Sequence, residues 1–322
     1  MYTLGIDLGG TNIAIGLCDE NLNIIDKGSV PTLAHREGEL IIKDMAALAK
    51  KLVERNNISY GQIEYVGIAS PGTVNSALGV VEYANNLPFV DFPLGDIFKK
   101  HFPTERVLMA NDANAAALGE ALAGAGRGSK NCVMITLGTG VGGGVIIDGR
   151  IYEGGVNCAG AELGHIVIEK GGRLCSCGRR GCWEAYSSAS ALTRITDEKM
   201  TELKTKGIAS LLFDEAKREG KISARTAFNA MRAGDVYGSA LVRDYIEYLA
   251  DGITNLINIF QPEVLIIGGG VCNEKEYLTK PLIKIVDRDQ YSRSSKNKAK
   301  IVTAQLKNDA GIIGAAGLGR QF

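Results

Sequence analysis

Residues 2–28 read YTLGIDLGGTNIAIGLCDENLNIIDKG. Apolar patterning predicts a strand over YTLGIDL, a second over TNIAIGL after a Gly-Gly turn, and a third over LNIIDKG after DEN. This is an antiparallel meander with a glycine tip. The layout returns at residues 131–155, where NCVMITLG passes through TGVGGG into VIID, and GR turns the chain into IYEGG. A strand, a glycine-rich tip, a strand, a turn and a strand thus occur twice, about 129 residues apart, which predicts duplicated domains.

Each meander is followed by helical and strand patterns. After the first come the helix ELIIKDMAALAKKLVERNN, the strands EYVGIAS and ERVLMA, and the helix DANAAALGEALAGA. After the second come the helix EAYSSASALTRIT, further helices to about Ile259, the strand EVLIIG, a helix after Glu276, the strand AKIVTA and the helix DAGIIGAAGLG. Antiparallel strands leading into strands that alternate with helices predict an α/β domain with a mixed sheet, made twice. The chain of 322 residues is long enough for two such cores. Lys and Arg number 36, as do Asp and Glu, so neither a basic face for nucleic acid nor an acidic tail is expected. The run QYSRSSKNKAK reads as a solvated loop. With no signal-like start and no run of 18 apolar residues, a cytoplasmic protein without membrane attachment is expected. Seven cysteines, an odd count, speak against a disulfide framework.

The first tip, DLGGTN, offers Asp7, Gly9, Gly10, Thr11 and Asn12. Glycines let backbone N–H groups approach a phosphate, Thr11 adds a hydroxyl, and Asp7 can hold Mg²⁺ through water. An ordinary hairpin turn is the other reading. The second tip, LGTGVGGG, places Gly138, Thr139 and Gly140 at the equivalent point, and two phosphate-seeking turns are harder to dismiss than one. IIGGGV puts Gly268, Gly269 and Gly270 after a buried strand, suiting close approach of an adenine or ribose, although glycines also simply end strands. Neither a Rossmann fingerprint nor a G-x-x-x-x-G-K-[ST] loop is present.

In ANDANAAALGE, Asp112 lies at a strand-to-helix junction. It reads either as a helix cap or as a carboxylate that accepts a hydroxyl proton while the oxygen attacks a γ-phosphate. Asn111 beside it, with Asn85 and Asn86 in YANNLPF, supplies the paired donors and acceptors that polyhydroxylated ligands need, or else serves loop chemistry. Gly72 in ASPGTV is a turn glycine or a backbone wall beside a sugar.

The stretch 164–184, GHIVIEKGGRLCSCGRRGCWE, spaces His165, Cys175, Cys177 and Cys182 as H-x₉-C-x-C-x₄-C. Taken singly these are buried thiols and a core histidine. Together, in a glycine-rich loop, they form the closed Cys₃His set of a structural Zn²⁺. Such a metal activates no water. It fixes a loop without a core of its own and so places Glu162, His165 and Glu184 around one ligand, with His165 using one ring nitrogen for the metal and the other for a ligand hydroxyl.

These pieces, in this order from Leu4 to about Gly319, resemble the ROK family (repressor, open reading frame, kinase), most closely its zinc-containing glucokinase branch. CSCGRRGCWE is similar to the family's CxCGxxGCxE element, AELGH to its substrate-side motif and NDANAAALGE to its catalytic junction. The resemblance implies an actin-like ATPase (ribonuclease H-like) duplication, two α/β domains with mixed sheets around a central cleft. Expected bounds are 1–120 for a small N-terminal domain, joined by a C-terminal helix at about 309–322, and 121–308 for a larger domain carrying the zinc loop. It implies an ATP-dependent hexose kinase acting on the 6-hydroxyl of glucose, with Asp112 as general base and Mg²⁺ on the phosphates. Gly72, Asn86, Asn111, Asp112, Glu162, His165 and Glu184 would bind the sugar, the two tips the phosphates and IIGGGV the adenosine. At Asn12 many relatives carry Lys. Kinases for N-acetylmannosamine, fructose or another hexose are the alternative, and a sugar-responsive regulator is a further one, against which stand the intact Asp112 and the absence of room for a DNA-binding segment before Asp7. A homodimer or homotetramer is expected.

Overall fold

The structure, a computed structural model, describes residues 1–321; the last residue of the expected C-terminal helix, Phe322, lies outside the described residues. The elements up to residue 123 are β1 (Tyr2–Leu8), β2 (Asn12–Cys18), β3 (Ile24–Pro31), α1 (Gly38–Arg55), β4 (Ile63–Ser70), β5 (Thr73–Asn75), β6 (Val80–Tyr83), β7 (Val90–Phe92), α2 (Leu94–His101), β8 (Val107–Asn111) and α3 (Asp112–Ala123). They continue as β9 (Cys132–Leu137), β10 (Val141–Ile147), β11 (Arg150–Ile151), α4 (Glu184–Ser187), α5 (Ala189–Thr205), α6 (Leu211–Glu219), α7 (Ala224–Arg232) and α8 (Val236–Phe260). The chain ends with β12 (Val264–Gly268), α9 (Glu276–Asp289), β13 (Lys300–Thr303) and α10 (Ala310–Ala316). Packing divides the described chain into two units: residues 1–132 with 144–161 and 304 onward, and residues 133–143 with 162–303.

The first sheet has the order β3-β2-β1-β4-β8. The meander β1–β3 is antiparallel, while β1, β4 and β8 run parallel, so the carboxyl ends of these three strands share one edge. Asp7 pairs in register with Ala69, and Ser70 with Asn111. Helix α1 follows its apolar spacing: Ile41, Met45, Ala49 and Leu52 recur three or four residues apart and are fully buried. Each such Leu or Ile contributes about 1.5–3 kcal/mol of burial.

Helix α10 packs at backbone distance, which only small residues allow. A Cβ at Gly67 would lie 1.8 Å from the Ala315 carbonyl oxygen, and one at Gly314 would lie 1.7 Å from that of Ala115. The segment AGIIGAA thereby binds β1, β4 and α3 together. Glu120, fully buried on α3, accepts N–H bonds from Ala125, Gln305 and Leu306 and so anchors the returning chain.

The second sheet has the order β11-β10-β9-β12-β13, with β12 and β13 parallel. Its meander differs from the expected one in that the third strand is only Arg150–Ile151. The helix expected over 184–196 is also interrupted. Ser188 is extended (φ −74°, ψ 161°), and its hydroxyl caps α5 by accepting the Ala191 N–H at 3.0 Å. A small antiparallel sheet, β5-β6-β7, flanks YANNLPF. Its strands are three or four residues long, too short to show an alternation.

Candidate functional site

In the first unit the candidate residues gather on the carboxyl edge of β1, β4 and β8, where parallel sheets collect ligands. Asn111 caps α3: its Oδ1 accepts the N–H groups of Ala113 (2.9 Å) and Asn114 (3.2 Å). The cap is therefore Asn111, and Asp112 is the first helical residue, its Oδ1 meeting the Ala113 N–H at 2.8 Å. The Asn111 amide also donates to the Gly72 carbonyl at 3.1 Å. Gly72 has φ +94°, and a Cβ there would lie 2.1 Å from the Tyr83 carbonyl oxygen, so only glycine fits this wall.

Burial raises the affinity of both edge carboxylates for protons. Asp7 is pushed up to about 6 by loss of water and then by the charge of Asp112. Asp112 is raised chiefly by burial, against the opposing pull of the Ala113 N–H. A carboxylate so placed makes a better proton acceptor than a solvated one. The pair also has the character of a cation site, since a divalent ion would relieve two crowded, partly dehydrated charges.

The tip 9–12 is held from behind by a residue that sequence reasoning missed. Thr32, fully buried, donates its hydroxyl to the Gly9 carbonyl (2.6 Å) and its N–H to the Thr11 carbonyl (2.8 Å). Its signal lay only in register, because Pro31 pairs with Asn12 and puts the next residue beside the turn. Thr11 and Asn12 are exposed. Asn86 lies over the same tip, and a Cβ at Gly10 would come within 3.1 Å of its Cβ.

In the second unit, the tip 138–140 closes with Gly138 N–H to the Gly140 carbonyl at 3.0 Å. Gly269, at φ +89°, brings the turn after β12 against it, since a Cβ there would lie 2.3 Å from the Leu137 carbonyl oxygen. The IIGGGV turn and the second tip therefore share a wall. A cavity of about 750 Å³ opens there, lined by Gly138, Thr139 and Gly270 together with Ser190, Thr193 and Ser223. The three hydroxyl residues come from α5 and the start of α7, and no local motif marks them.

The zinc-like loop contains only a short turn at Leu163–His165 and the isolated bridges Val167–Cys182 and Leu174–Arg180. Trp183 anchors it: fully buried, the indole packs on Gly252 of α8 and donates to the Tyr248 carbonyl at 2.9 Å. His165, Cys175, Cys177 and Cys182 bring their ligand atoms within 4.8 Å of one another. His165 Nδ1 lies 3.6 Å from Cys175 Sγ, and Cys177 Sγ lies 3.6 Å from Cys182 Sγ. A tetrahedral ion with Zn–S bonds of about 2.3 Å needs ligand separations of about 3.8 Å, so the set fits. With Nδ1 turned to the cluster, Nε2 is the ring nitrogen left for another partner. Glu162, exposed, precedes the turn and accepts the His165 N–H on its carbonyl at 3.0 Å. Glu184 opens α4, and its Oε2 accepts the Val141 N–H at 3.0 Å.

Among the described residues no helix is long and apolar enough to cross a membrane. The ROK family model matches residues 3–321. The chain is 37% identical to a glucokinase of Halalkalibacterium halodurans, over 99% of this chain and 95% of that protein. It is 39% identical to a glucokinase of Thermotoga maritima, over 98% of this chain and 96% of that one. A crystal structure of a ROK family glucokinase from Streptomyces griseus in complex with glucose and AMPPNP superposes with a TM-score of 0.78 at 34% identity, covering all of both chains. The fold is thus the actin-like ATPase fold of these sugar kinases. By its sequence over nearly the whole length and by its fold, the chain belongs to the ROK family.

Proposed function

We propose that the protein is an ATP-dependent glucose kinase that transfers the γ-phosphate to the sugar 6-hydroxyl. The observation that carries this reading is Asp112, a half-buried carboxylate at the head of α3 whose proton affinity is raised, next to the capping residue Asn111 and beside Asp7, which is also raised. Asp112 accepts the 6-hydroxyl proton as that oxygen attacks phosphorus. Phosphoryl transfer asks the protein mainly to position groups and to stabilise charge, and this arrangement supplies both. Gly72, Asn86, Asn111, Glu162, His165 Nε2 and Glu184 are the groups that would bind the sugar. The tips 9–12 and 138–140 would cradle phosphates, and the hydroxyl-lined cavity beside Gly268, Gly269 and Gly270 would take the adenosine. Asp7 would hold Mg²⁺, which supplies charge neutralisation on the phosphates when bound. His165, Cys175, Cys177 and Cys182 would hold Zn²⁺, whose contribution with four protein ligands is structural.

A hexose panel in a coupled ADP-release assay tests the substrate. The carboxylates and His165 Nε2 suit adjacent ring hydroxyls, whereas an N-acetyl group requires further space and an amide partner. Sites that read hydroxyls reject poorly matched analogues strongly, because buried polar groups are left unpaired. Glucose should exceed N-acetylmannosamine in kcat/KM by on the order of a hundredfold or more. A preference for N-acetylmannosamine would overturn the glucose assignment and leave the chemistry at Asp112 standing.

A further inference from the structure

We infer that Ser176 is a positioning residue for Glu184, through which the metal loop sets the carboxylate that meets the sugar. The inference rests on the reading of Glu184 as a sugar ligand. Glu184 does not extend into solvent. Its Oε2 accepts the Val141 N–H at 3.0 Å, and its Oε1 accepts the Ser176 hydroxyl, also at 3.0 Å. The carboxylate is turned with one oxygen against the glycine tip, because a Cβ at Gly140 would come within 2.2 Å of Oε2. One donor on each oxygen fixes the rotation of the group and leaves a lone-pair position on each for sugar hydroxyls.

The second group near Oε1 is Cys175 Sγ, at 3.6 Å. When the four ligands hold a metal, the Cys175 sulfur is committed to it and does not donate to Oε1. The Ser176 hydroxyl is then the donor this loop supplies to Oε1. Ser176 itself belongs to no helix or strand. It is flanked by Cys175 and Cys177, both in the ligand cluster, in a turn closed by the Gly178 N–H on the Cys175 carbonyl at 3.0 Å. The metal geometry therefore determines where the hydroxyl points. The metal needs no contact with sugar to affect its binding.

The test compares Ser176→Ala, Ser176→Thr, Glu184→Gln and the double variant Ser176→Ala/Glu184→Gln. Metal content, calorimetric glucose affinity without nucleotide, and KM for glucose and ATP are measured on each. A lost hydrogen bond to a half-buried carboxylate should weaken glucose about three- to tenfold in Kd and KM for Ser176→Ala, with metal content, KM for ATP and kcat unchanged. Ser176→Thr should restore the affinity, and the double variant should bind no worse than Glu184→Gln alone. Two results overturn the inference: Ser176→Ala binding glucose like the parent while Glu184→Gln binds it poorly, or Ser176→Ala losing its metal, which would make Ser176 a support of the loop alone. Unchanged glucose binding in Glu184→Gln would instead overturn the role of Glu184, and the inference with it.

Discussion

The carboxylates Asp112 and Glu184 are held in place by opposite means. Asp112 heads a helix whose cap, Asn111, is the last residue of a strand in a five-stranded sheet, and that helix packs at backbone distance on α10. Glu184 follows a loop with almost no regular structure, held by one buried indole and by a cluster of three thiols and an imidazole. A core can fix a side chain without outside help, but the water it excludes raises the proton affinity of the carboxylate, as it does for Asp112 and Asp7. A metal loop can hold a carboxylate near the surface, at the cost of making its position depend on the ion. The first arrangement suits a proton acceptor and the second a hydroxyl reader.

Substituting the core-held carboxylate should have the largest effect. Asp112→Asn keeps the shape of the helix start and removes the proton acceptor, so kcat should fall on the order of a hundredfold to ten-thousandfold. Calorimetric affinities for glucose and nucleotide should stay close to the parent's. Normal turnover would mean that the edge of the first sheet contributes no base, and the contrast with Glu184 would collapse.

Taking away the proposed metal should strike only the other side of the comparison. Cys177→Ser, or prolonged chelation, should reduce metal content from about one ion per chain to none. Glucose affinity should then fall on the order of tenfold to a hundredfold, the range seen when groups supporting a site are lost. Hydrogen exchange should quicken across residues 164–184 and stay slow in β1, β2 and β4. Full metal content in Cys177→Ser would remove Cys177 from the ligand set.

Proton affinity tests the first region next. Since Asp7 is pushed up to about 6, activity that needs its ionised form should fall as pH drops through about 6, above the ordinary carboxylate range. Stability runs the other way. The folded chain binds this proton more tightly than the unfolded one, so the contribution is fully present below the ordinary value of 3.8 and is lost as pH rises through about 6. Asp7→Asn should therefore impair catalysis yet stabilise the fold at pH 7 by up to about 3 kcal/mol, read from denaturant unfolding. An unchanged or lowered stability would show that Asp7 pays no burial cost.

The smallest effect expected is at the cap. Asn111→Ala should lower stability by about 1 kcal/mol through the lost cap on α3. It also frees the Gly72 carbonyl, so a rise in KM for glucose should accompany the change in unfolding midpoint. A loss of stability with kinetics unaltered would make Asn111 a cap and nothing more.

Much of this was legible along the chain because the chemistry is local in sequence. A meander announces itself by period-two patterning and a glycine tip, and a Cys₃His set by spacing within eighteen residues, so β1, β2, β9, β10 and the ligand cluster all lie where pattern and spacing put them. Tertiary structure decided what depends on a neighbour brought from far away. It made Asn111 the cap and Asp112 the first helical residue, with the Asn111 amide donating to the Gly72 carbonyl from a distant segment. Thr32 became the support of the first tip through strand register alone. The short strands β5, β6 and β7 formed from segments too brief to carry a period. Ser176 and Glu184, eight residues apart, met across a turn whose shape belongs to the ligand cluster. Sequence by itself specified which groups the protein has and most of the strands and helices that carry them. The fold alone decided which of those groups are dehydrated and which are already engaged, since both depend on atoms distant along the chain.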